Sequence, residues 1–279
     1  MNLTLAEFAR LDIDYQVNPK MQKYSTIKIS IVALLLTFPA AQAAPINYGD
    51  FGSGTVMFNQ IPNLTITAVN DGNPAGDRDL AVVFDTNAAN DTANDPDLES
   101  LFYLTPADKL AGINGFNPGK VLILQENNIG CSAAGDMSCT EPDDEGTRFR
   151  NGAGDITAST GVISFEFAQA IELLSMDFFD IEANEDGDSF FSRIDLFDAV
   201  GNPVAVGDYF VPNTGGDNLW ARLLFDQNDP DLHNIGKIDV YLAGSGAIGA
   251  INAVPVPAAF WLFGTALIGF IGFSRRTSV

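Results

Sequence analysis

Apolar and polar residues alternate along short stretches of this chain, and clusters of Gly, Asn, Asp and Pro separate these stretches. In GVISFEF (161–167) and KIDVYL (237–242), every second residue is apolar and the residues between them are mostly polar. Alternation of this length is typical of a half-buried β-strand. Together with short continuous apolar runs, the pattern predicts eight strands: Leu64–Val69, Leu80–Asp85, Lys120–Gln125, Gly161–Phe167, Glu172–Phe179, Arg193–Asp198, Leu219–Phe225 and Lys237–Leu242.

Eight strands with turn-rich connections predict an all-β fold, an antiparallel β-sandwich of the jelly-roll kind. One helical turn is predicted in TPADKLAGI, where Thr105 caps the helix and Pro106 takes its first position. The glycine-rich GSGAIGAI (244–251) is interpreted as the last turn of the domain. Residues 86–100 and 126–158 are polar connections of a length that is usually functional or disordered.

The N-terminal region has the pattern of a secretory signal. Residues 21–43 join a positive segment with Lys23 and Lys28 to an apolar stretch, which ends in Ala41-Gln42-Ala43. This pattern predicts a signal helix that signal peptidase cleaves between Ala43 and Ala44. Residues 1–20 are polar and precede a second methionine, Met21. We therefore predict that the protein starts at Met21 and that residues 1–20 are a wrongly assigned extension. A long positive segment is the alternative.

The C-terminal region has the pattern of a membrane anchor. Residues 254–273 carry no charge, and Arg275 and Arg276 follow them. About 20 apolar residues in a helix span the hydrocarbon layer of a bilayer, and an arginine pair beyond such a span favours a cytoplasmic C-terminus. The composition thus predicts a C-terminal transmembrane helix, and a plain membrane anchor is its simplest interpretation.

The order of residues within this region is more specific. It runs Val-Pro-Val-Pro, Ala-Ala, Trp-Leu-Phe-Gly, further glycines and then two arginines. This order resembles the PEP-CTERM sorting signal of Gram-negative surface and matrix proteins, although Val256 stands where the commonest form has Glu or Leu. The resemblance covers residues 254–276 and implies recognition by an exosortase, a membrane cysteine peptidase-transferase, with cleavage near the Pro box. The residues that carry it are Val254, Pro255, Val256, Pro257, Trp261, Gly264, Arg275 and Arg276.

These two signals predict an exported protein that is held briefly in the inner membrane and then released to the cell surface or the extracellular space. The ectodomain between them, residues 44–253, holds 8 Lys or Arg and 33 Asp or Glu. Such a surface repels phosphate groups, which argues against nucleic acid as a partner. Solubility alone explains an acidic surface, and binding of divalent cations is the more specific alternative. Cys131 and Cys139 are the two cysteines, and in an exported chain they predict one disulfide.

Acidic residues cluster in the predicted loops. Glu182, Asn184 and Asp186 imitate the start of an EF-hand loop, but Arg193 stands where its bidentate acid belongs. Several short motifs, among them FD…DPDL (84–98), PDD (142–144) and FDIE (179–182), resemble ectodomains that PEP-CTERM proteins often carry. The resemblance implies a structural calcium site that fixes long loops at the sandwich rim. Its predicted ligands are Asp95, Asp97, Asp143, Asp144, Asp180 and Glu182. The alternative is that these acids only keep the loops solvated.

Motifs for catalysis are missing from the sequence. It has no G-x-S-x-G elbow and no phosphate-binding glycine loop, and its one histidine, His233, is predicted to lie in a surface loop. We therefore predict a non-catalytic surface or matrix protein. A lectin-like module for exopolysaccharide, with Trp220, Tyr209 and Phe210 on its surface, is the first alternative. A polysaccharide hydrolase that uses two carboxylates is the second.

Overall fold

The computed structural model describes residues 45–70, 79–87, 98–125, 131, 138–140, 142, 161–181, 192–242 and 246–256. The described residues form mostly antiparallel β-sheet, as the alternation predicted. The elements are β1 (Leu64–Asn70), β2 (Ala81–Asp85), α1 (Pro106–Ala111), β3 (Lys120–Leu124), β4 (Gly161–Phe179), β5 (Arg193–Asp198), β6 (Pro203–Phe210), β7 (Trp220–Leu224), β8 (Ile235–Leu242) and β9 (Ala247–Pro255).

The centre of the sheet is β4, a strand of 19 residues that changes its partners halfway along. Its first half, up to Phe167, pairs with β1 on one side and with β8 on the other. Its second half, from Ile171, pairs with β9 and β7. The pairing with β8 shifts register between Glu166 and Ile171, which is where the partners change. Beyond these pairs, β8 continues to β5 and β6, and β9 continues to β3 and β2.

Both halves of β4 contribute to one hydrophobic core. Ile163 and Phe165 of the first half pack in it with alternate residues of β1, β5 and β8. Leu173, Met176 and Phe178 of the second half pack in the same core with residues of β2, β3 and β9. Because every second side chain of a strand points to the same face, alternation accounts for the buried face of the first half. In the second half, the pairing with β9 shifts register between Leu173 and Ser175, which lets Leu173 and Met176 share the core.

The second half of the sheet is also buried on its other face. Val82, Phe84, Val121 and Ile123 of β2 and β3 pack there in a separate cluster with Phe179 of β4. This cluster is covered by Leu98 and Phe102 from the segment before α1 and by Cys139. Strands buried on both faces are expected to be continuously apolar, which explains the sequences AVVF (81–84) and VLIL (121–124).

Three features of the sheet differ from the sequence prediction. The stretches 161–167 and 172–179 form one strand, since the backbone stays extended through the exposed residues Ala168 and Gln169. Strand β6 was not predicted. The interpretation of residues 244–251 as a final turn is wrong, because Ala247 begins the last strand, β9. The helical turn agrees with its prediction: the Thr105 hydroxyl accepts a bond from the Asp108 amide, and Pro106 lies in the first turn.

Candidate functional site

The C-terminal end of the described chain lies at the predicted sorting box. Strand β9 continues two residues into the box, where Val254 pairs with Glu172 and Pro255 pairs with Ile171. The amide of Val256 then donates to the carbonyl of Ala170 at 2.9 Å. The first three residues of the box are therefore part of the folded sheet or hydrogen-bonded to it.

The N-terminal end of the described chain meets the same strand. Ile46 exchanges two backbone hydrogen bonds with Ile251 of β9, at 2.8 and 3.0 Å. An apolar cavity of about 150 Å³ lies beside this end of the sheet. Its lining includes Ile46, Ile61, Leu64, Phe167, Ile171 and Pro255. The predicted signal-peptidase site, with Ala41, Ala43 and Ala44, lies outside the described residues, two positions before Ile46 at its nearest.

The opposite end of the β4–β9 pair forms the rim on which Asp180 lies. Asp180 directly follows β4, with a left-handed backbone (φ 56°) and a side chain that is almost wholly buried. Its amide donates to the carbonyl of Leu219, and the next residue, Ile181, accepts bonds from the amide and the hydroxyl of Thr214. The segment 214–219 therefore fixes the start of the acidic loop that follows Ile181.

The same segment also contacts the chain just after the acidic stretch 88–97. Asn218 donates its side-chain amide to the carbonyl of Glu99 at 3.0 Å, just after the loop that contains Asp95 and Asp97. Asn117 links the ends of the same connection. Its side-chain amide donates to the carbonyls of Thr86 and Ser100, and its side-chain oxygen accepts a bond from the amide of Gly119. Residues 214–219 thus contact both the residues just before the acidic stretch 182–191 and the residue Glu99, just after the acidic stretch 88–97.

Of the six predicted calcium ligands, Asp180 is the one that the structure describes. Asp95, Asp97, Asp143, Asp144 and Glu182 lie outside the described residues. Within the described part of the chain, no three Asp, Glu, His or Cys side chains come together in a group that could hold a metal ion.

A pair of buried carboxylates, which the sequence analysis did not single out, lies on the outer face of the first half of the sheet. Asp195 of β5 and Asp239 of β8 are directly opposite each other, and both are about 95% buried. Like charges in this position destabilise a sheet unless they are compensated. Compensation comes from Lys237, whose Nζ lies 2.9 Å from Asp239 Oδ2, and from Arg193, whose Nε lies 3.5 Å from Asp195 Oδ1. The hydroxyl of Ser164 also donates to Asp239 at 2.6 Å.

Opposite residues in a sheet have Cβ atoms about 5 Å apart, which is near the carboxyl separation of a retaining glycosidase, so this pair is the one to compare with that chemistry. Its surroundings favour a structural role, since each carboxylate already has a cationic partner. The signal in the sequence was an acid within each alternating strand, in RIDLFD (193–198) and KIDVYL (237–242). These acids lie in strands, whereas the predicted ligands lie in loops.

A second compensated acid lies on the other half of the sheet. Arg222 of β7 binds Asp177 of β4 with both arms of the guanidinium, through Nε at 2.5 Å and Nη2 at 2.8 Å. This hydrogen bonding raises the pKa of Arg222 above its usual value. Asp177 is 6% exposed, so the guanidinium holds a carboxylate that has almost no access to water. The arrangement anchors β7, the edge strand, to β4.

Two of the three aromatic residues of the lectin hypothesis, Trp220 and Tyr209, are packed against other rings. Trp220 stacks on Phe179 and meets the edge of Phe116, with centroid distances of 6.3 and 4.9 Å. Tyr209 packs against Phe225 at 5.1 Å. Phe210 is 57% exposed. A sugar-binding platform needs an aromatic face that is open to solvent. Trp220 instead packs between the sheet and the segment 98–117 that covers it.

The two cysteines agree with the predicted pairing. The sulfur atoms of Cys131 and Cys139 lie 2.03 Å apart, at disulfide bonding distance. The amide of Cys139 donates to the carbonyl of Gly54 at 2.6 Å, and the amide of Gly54 donates to Val83 of β2. A Cβ atom on Gly54 would lie 1.7 Å from the carbonyl oxygen of Cys139, so this close approach requires glycine. The disulfide is thereby held against the edge of the sheet.

The membrane-related predictions concern residues that the structure does not describe. Pro257, Trp261, Gly264, Arg275 and Arg276 lie beyond the last described residue, Val256. Within the described residues, no helix is both long enough and apolar enough to cross a membrane.

Comparison with known proteins gives no match: no protein-family model fits the chain, and no curated protein is similar to it. The sorting-signal resemblance and the functions that it implies therefore stay predictions.

Proposed function

We propose that this chain is an exported surface or matrix protein of a Gram-negative bacterium, and that an exosortase releases its non-catalytic β-domain from the inner membrane. The observation that carries the proposal is the position of the last strand. Strand β9 ends at Pro255, inside the Val-Pro-Val-Pro box. The described sheet thus lies entirely before residue 257, and removal of the residues that follow costs it no pairing.

We also propose that the sheet folds into a β-sandwich. The support is that β4 changes partners at its register shift while both of its halves bury side chains in one core. Two layers joined by a bent strand are a common way for strands to turn from one sheet to the other. In this arrangement the acid pair Asp195–Asp239 and the cluster around Phe179 lie on opposite outer faces.

The calcium proposal rests on two acidic stretches of the sequence, because the start of one, at Asp180 and Ile181, and the end of the other, at Glu99, both contact residues 214–219. Calcium takes six to eight oxygen ligands, and such a site at the rim would fix both loops. We expect EDTA to lower the melting temperature of the purified ectodomain and calcium to restore it. A melting temperature that changes in neither condition would contradict the calcium site and favour the alternative that these acids only keep the loops solvated. A glycan array with and without calcium tests the exopolysaccharide alternative in the same preparation.

The proposed processing is tested in a strain with an active exosortase and in a matched deletion strain. We expect the intact mass of the protein from the active strain to lack Trp261–Arg276, and the mass from the deletion strain to retain this segment. Replacement of Arg275 and Arg276 by Gln in the active strain should slow release, because the basic end is part of the sorting signal that residues 254–276 resemble. Retention of Trp261–Arg276 in the active strain would contradict the proposal and favour a permanent anchor.

A further inference from the structure

The residues of the sorting box differ in how the folded domain holds them. Val254 and Pro255 pair with β4, and the amide of Val256 is bonded to the Ala170 carbonyl. On its other side, β9 is bonded to Ile46, so that the strand has neighbours on both sides near Ile251. Ala253 is buried in the core, and Pro255 lines the apolar cavity of about 150 Å³.

A peptidase needs several substrate residues in an extended and unpaired form around the bond that it cuts. Residues paired within a sheet reach that form only through local unfolding, whose cost rises with the number of bonds and apolar contacts that open. To expose a bond before Val254, β9 would have to separate from β4 and withdraw Ala253 from the core. A bond just after Val256 requires only the end of β9 to open, and a bond further along requires progressively fewer of the described pairs to open.

We propose, on the basis of the proposed exosortase processing, that the cut bond lies on the C-terminal side of Val256. The mature protein then keeps Val254, Pro255 and Val256 as the end of its last strand. The sheet thus sets the limit of cleavage, and the box is divided between a part that stays with the domain and a part that leaves.

The chemistry is an acyl transfer in which atoms balance. The enzyme thiolate attacks the carbonyl carbon of the cut bond, the peptide C–N bond breaks, and the amine of the departing tail takes up a proton. The thioester that forms is resolved by water or by a nucleophilic acceptor. With water the new C-terminus is a carboxylate, and with an acceptor it carries the acceptor group.

The test is the identity of the C-terminal peptide of the mature protein, measured by mass spectrometry after digestion of material from an exosortase-active strain. We expect a terminal peptide that contains Val254–Val256 and ends at Val256 or beyond it. A mature chain that ends at Pro255 or earlier overturns this proposal and leaves the proposed function intact. A chain that still carries Trp261 through Arg276 overturns the proposed function, and this proposal with it.

A second measurement tests the physical premise without any cleavage. Hydrogen exchange of the full-length protein, purified in detergent from the exosortase-deletion strain, reports the amide of Val256. We expect this amide to exchange roughly tenfold or more slowly than in an unstructured peptide of the same sequence, because it donates to Ala170. Exchange at the rate of the free peptide would show that β9 does not shield the box, and would overturn the proposal.

Discussion

The two halves of β4 present their outer faces in opposite ways. In the first half, Ser164 and Glu166 alternate with core residues and face a charged surface that includes Lys237 and Asp239. In the second half, Phe179 is 1% exposed and is covered by Phe102 at a centroid distance of 4.8 Å. One strand thus has an outer face of polar and charge-paired side chains along its first half and an outer face that an apolar segment of the chain buries along its second half.

The comparison shows where the stability of this domain depends on long connections. The first half needs no cover, because its outward residues are polar or paired with opposite charge. The second half depends on residues 98–117, a segment with little regular structure whose only helix has no buried side chain. Asn117 and Asn218 fasten this segment to the sheet. Changes to the cover should therefore affect stability more than changes to the open face.

The largest effect is expected from Phe102→Ala. Phe102 is a fully buried side chain by which the covering segment packs on the sheet. Its removal leaves a cavity that costs about 3–5 kcal/mol in the free energy of unfolding. Denaturant unfolding of the ectodomain measures this loss. The matched control is Thr67→Ala on the exposed outer face of β1, which should change stability by less than about 0.5 kcal/mol. Equal losses in the two variants would contradict the distinction between the faces.

The next effect is that of the disulfide. A bridge that closes an eight-residue separation restricts the unfolded chain by about 2–3 kcal/mol. We expect the double variant Cys131→Ser and Cys139→Ser to lose this amount, and the wild-type protein to lose it under reducing conditions. A double variant as stable as the oxidised wild type would show that the disulfide contributes nothing to the cover.

A smaller effect separates the two compensated acids. Arg222→Met leaves Asp177 buried without its bidentate cation, and we expect a loss of about 1–2 kcal/mol, since Arg222 itself is partly exposed. Lys237→Met removes the cation from Asp239, which keeps the hydrogen bond from Ser164, so the loss should be smaller. Thermal unfolding of both variants ranks them, and the reverse order would contradict this interpretation.

The smallest effect concerns pH. The pKa of Asp198 is lowered because the side-chain amide of Asn202 donates to its carboxylate in the β5–β6 turn. A lowered folded pKa stabilises the protein above the unfolded value of about 3.9, and this contribution is lost as the pH falls through the folded value. We expect Asp198→Asn to flatten the fall of the melting temperature below about pH 4. The control is Asp50→Asn in the exposed turn after Tyr48. An unchanged acid slope in Asp198→Asn would contradict the role of this turn.

The strands with a regular apolar pattern were predicted from the sequence, whereas β6, which begins with a proline, and β9, which has an internal glycine, were not. Strand β6 begins with Pro203 and lies at the edge of the sheet, where proline is tolerated. Strand β9 contains Gly249, which resembles a turn signal. A Cβ at this position would lie 2.4 Å from the ring of Phe179, so the glycine admits that ring. This reason depends on a residue 70 positions away and could not be found from local pattern.

The candidate site was predicted less completely than the fold. Acid-rich loops were visible in the composition, but their geometry depends on where Asn218 and Leu219 place the loop ends. The pairing of Asp195 with Asp239 follows from the register of two strands, β5 and β8, that are separated by at least 37 positions along the chain. Register depends on the whole buried face of the sheet. Single-sequence patterns therefore identify such acids as outward-facing without revealing that they meet.

The contact between Ile46 and Ile251 brings the two ends of the described chain to a single strand. Such neighbouring ends make the fold suitable for circular permutation, because a flexible linker from Val256 back to Pro45 would need to cross roughly 15–20 Å. New ends could be opened at the exposed turn around Val200, which is 81% exposed. A permutant of this kind would carry no tail at β9, and its folding would show whether the order of synthesis, with β9 last, matters to the assembly of the sheet.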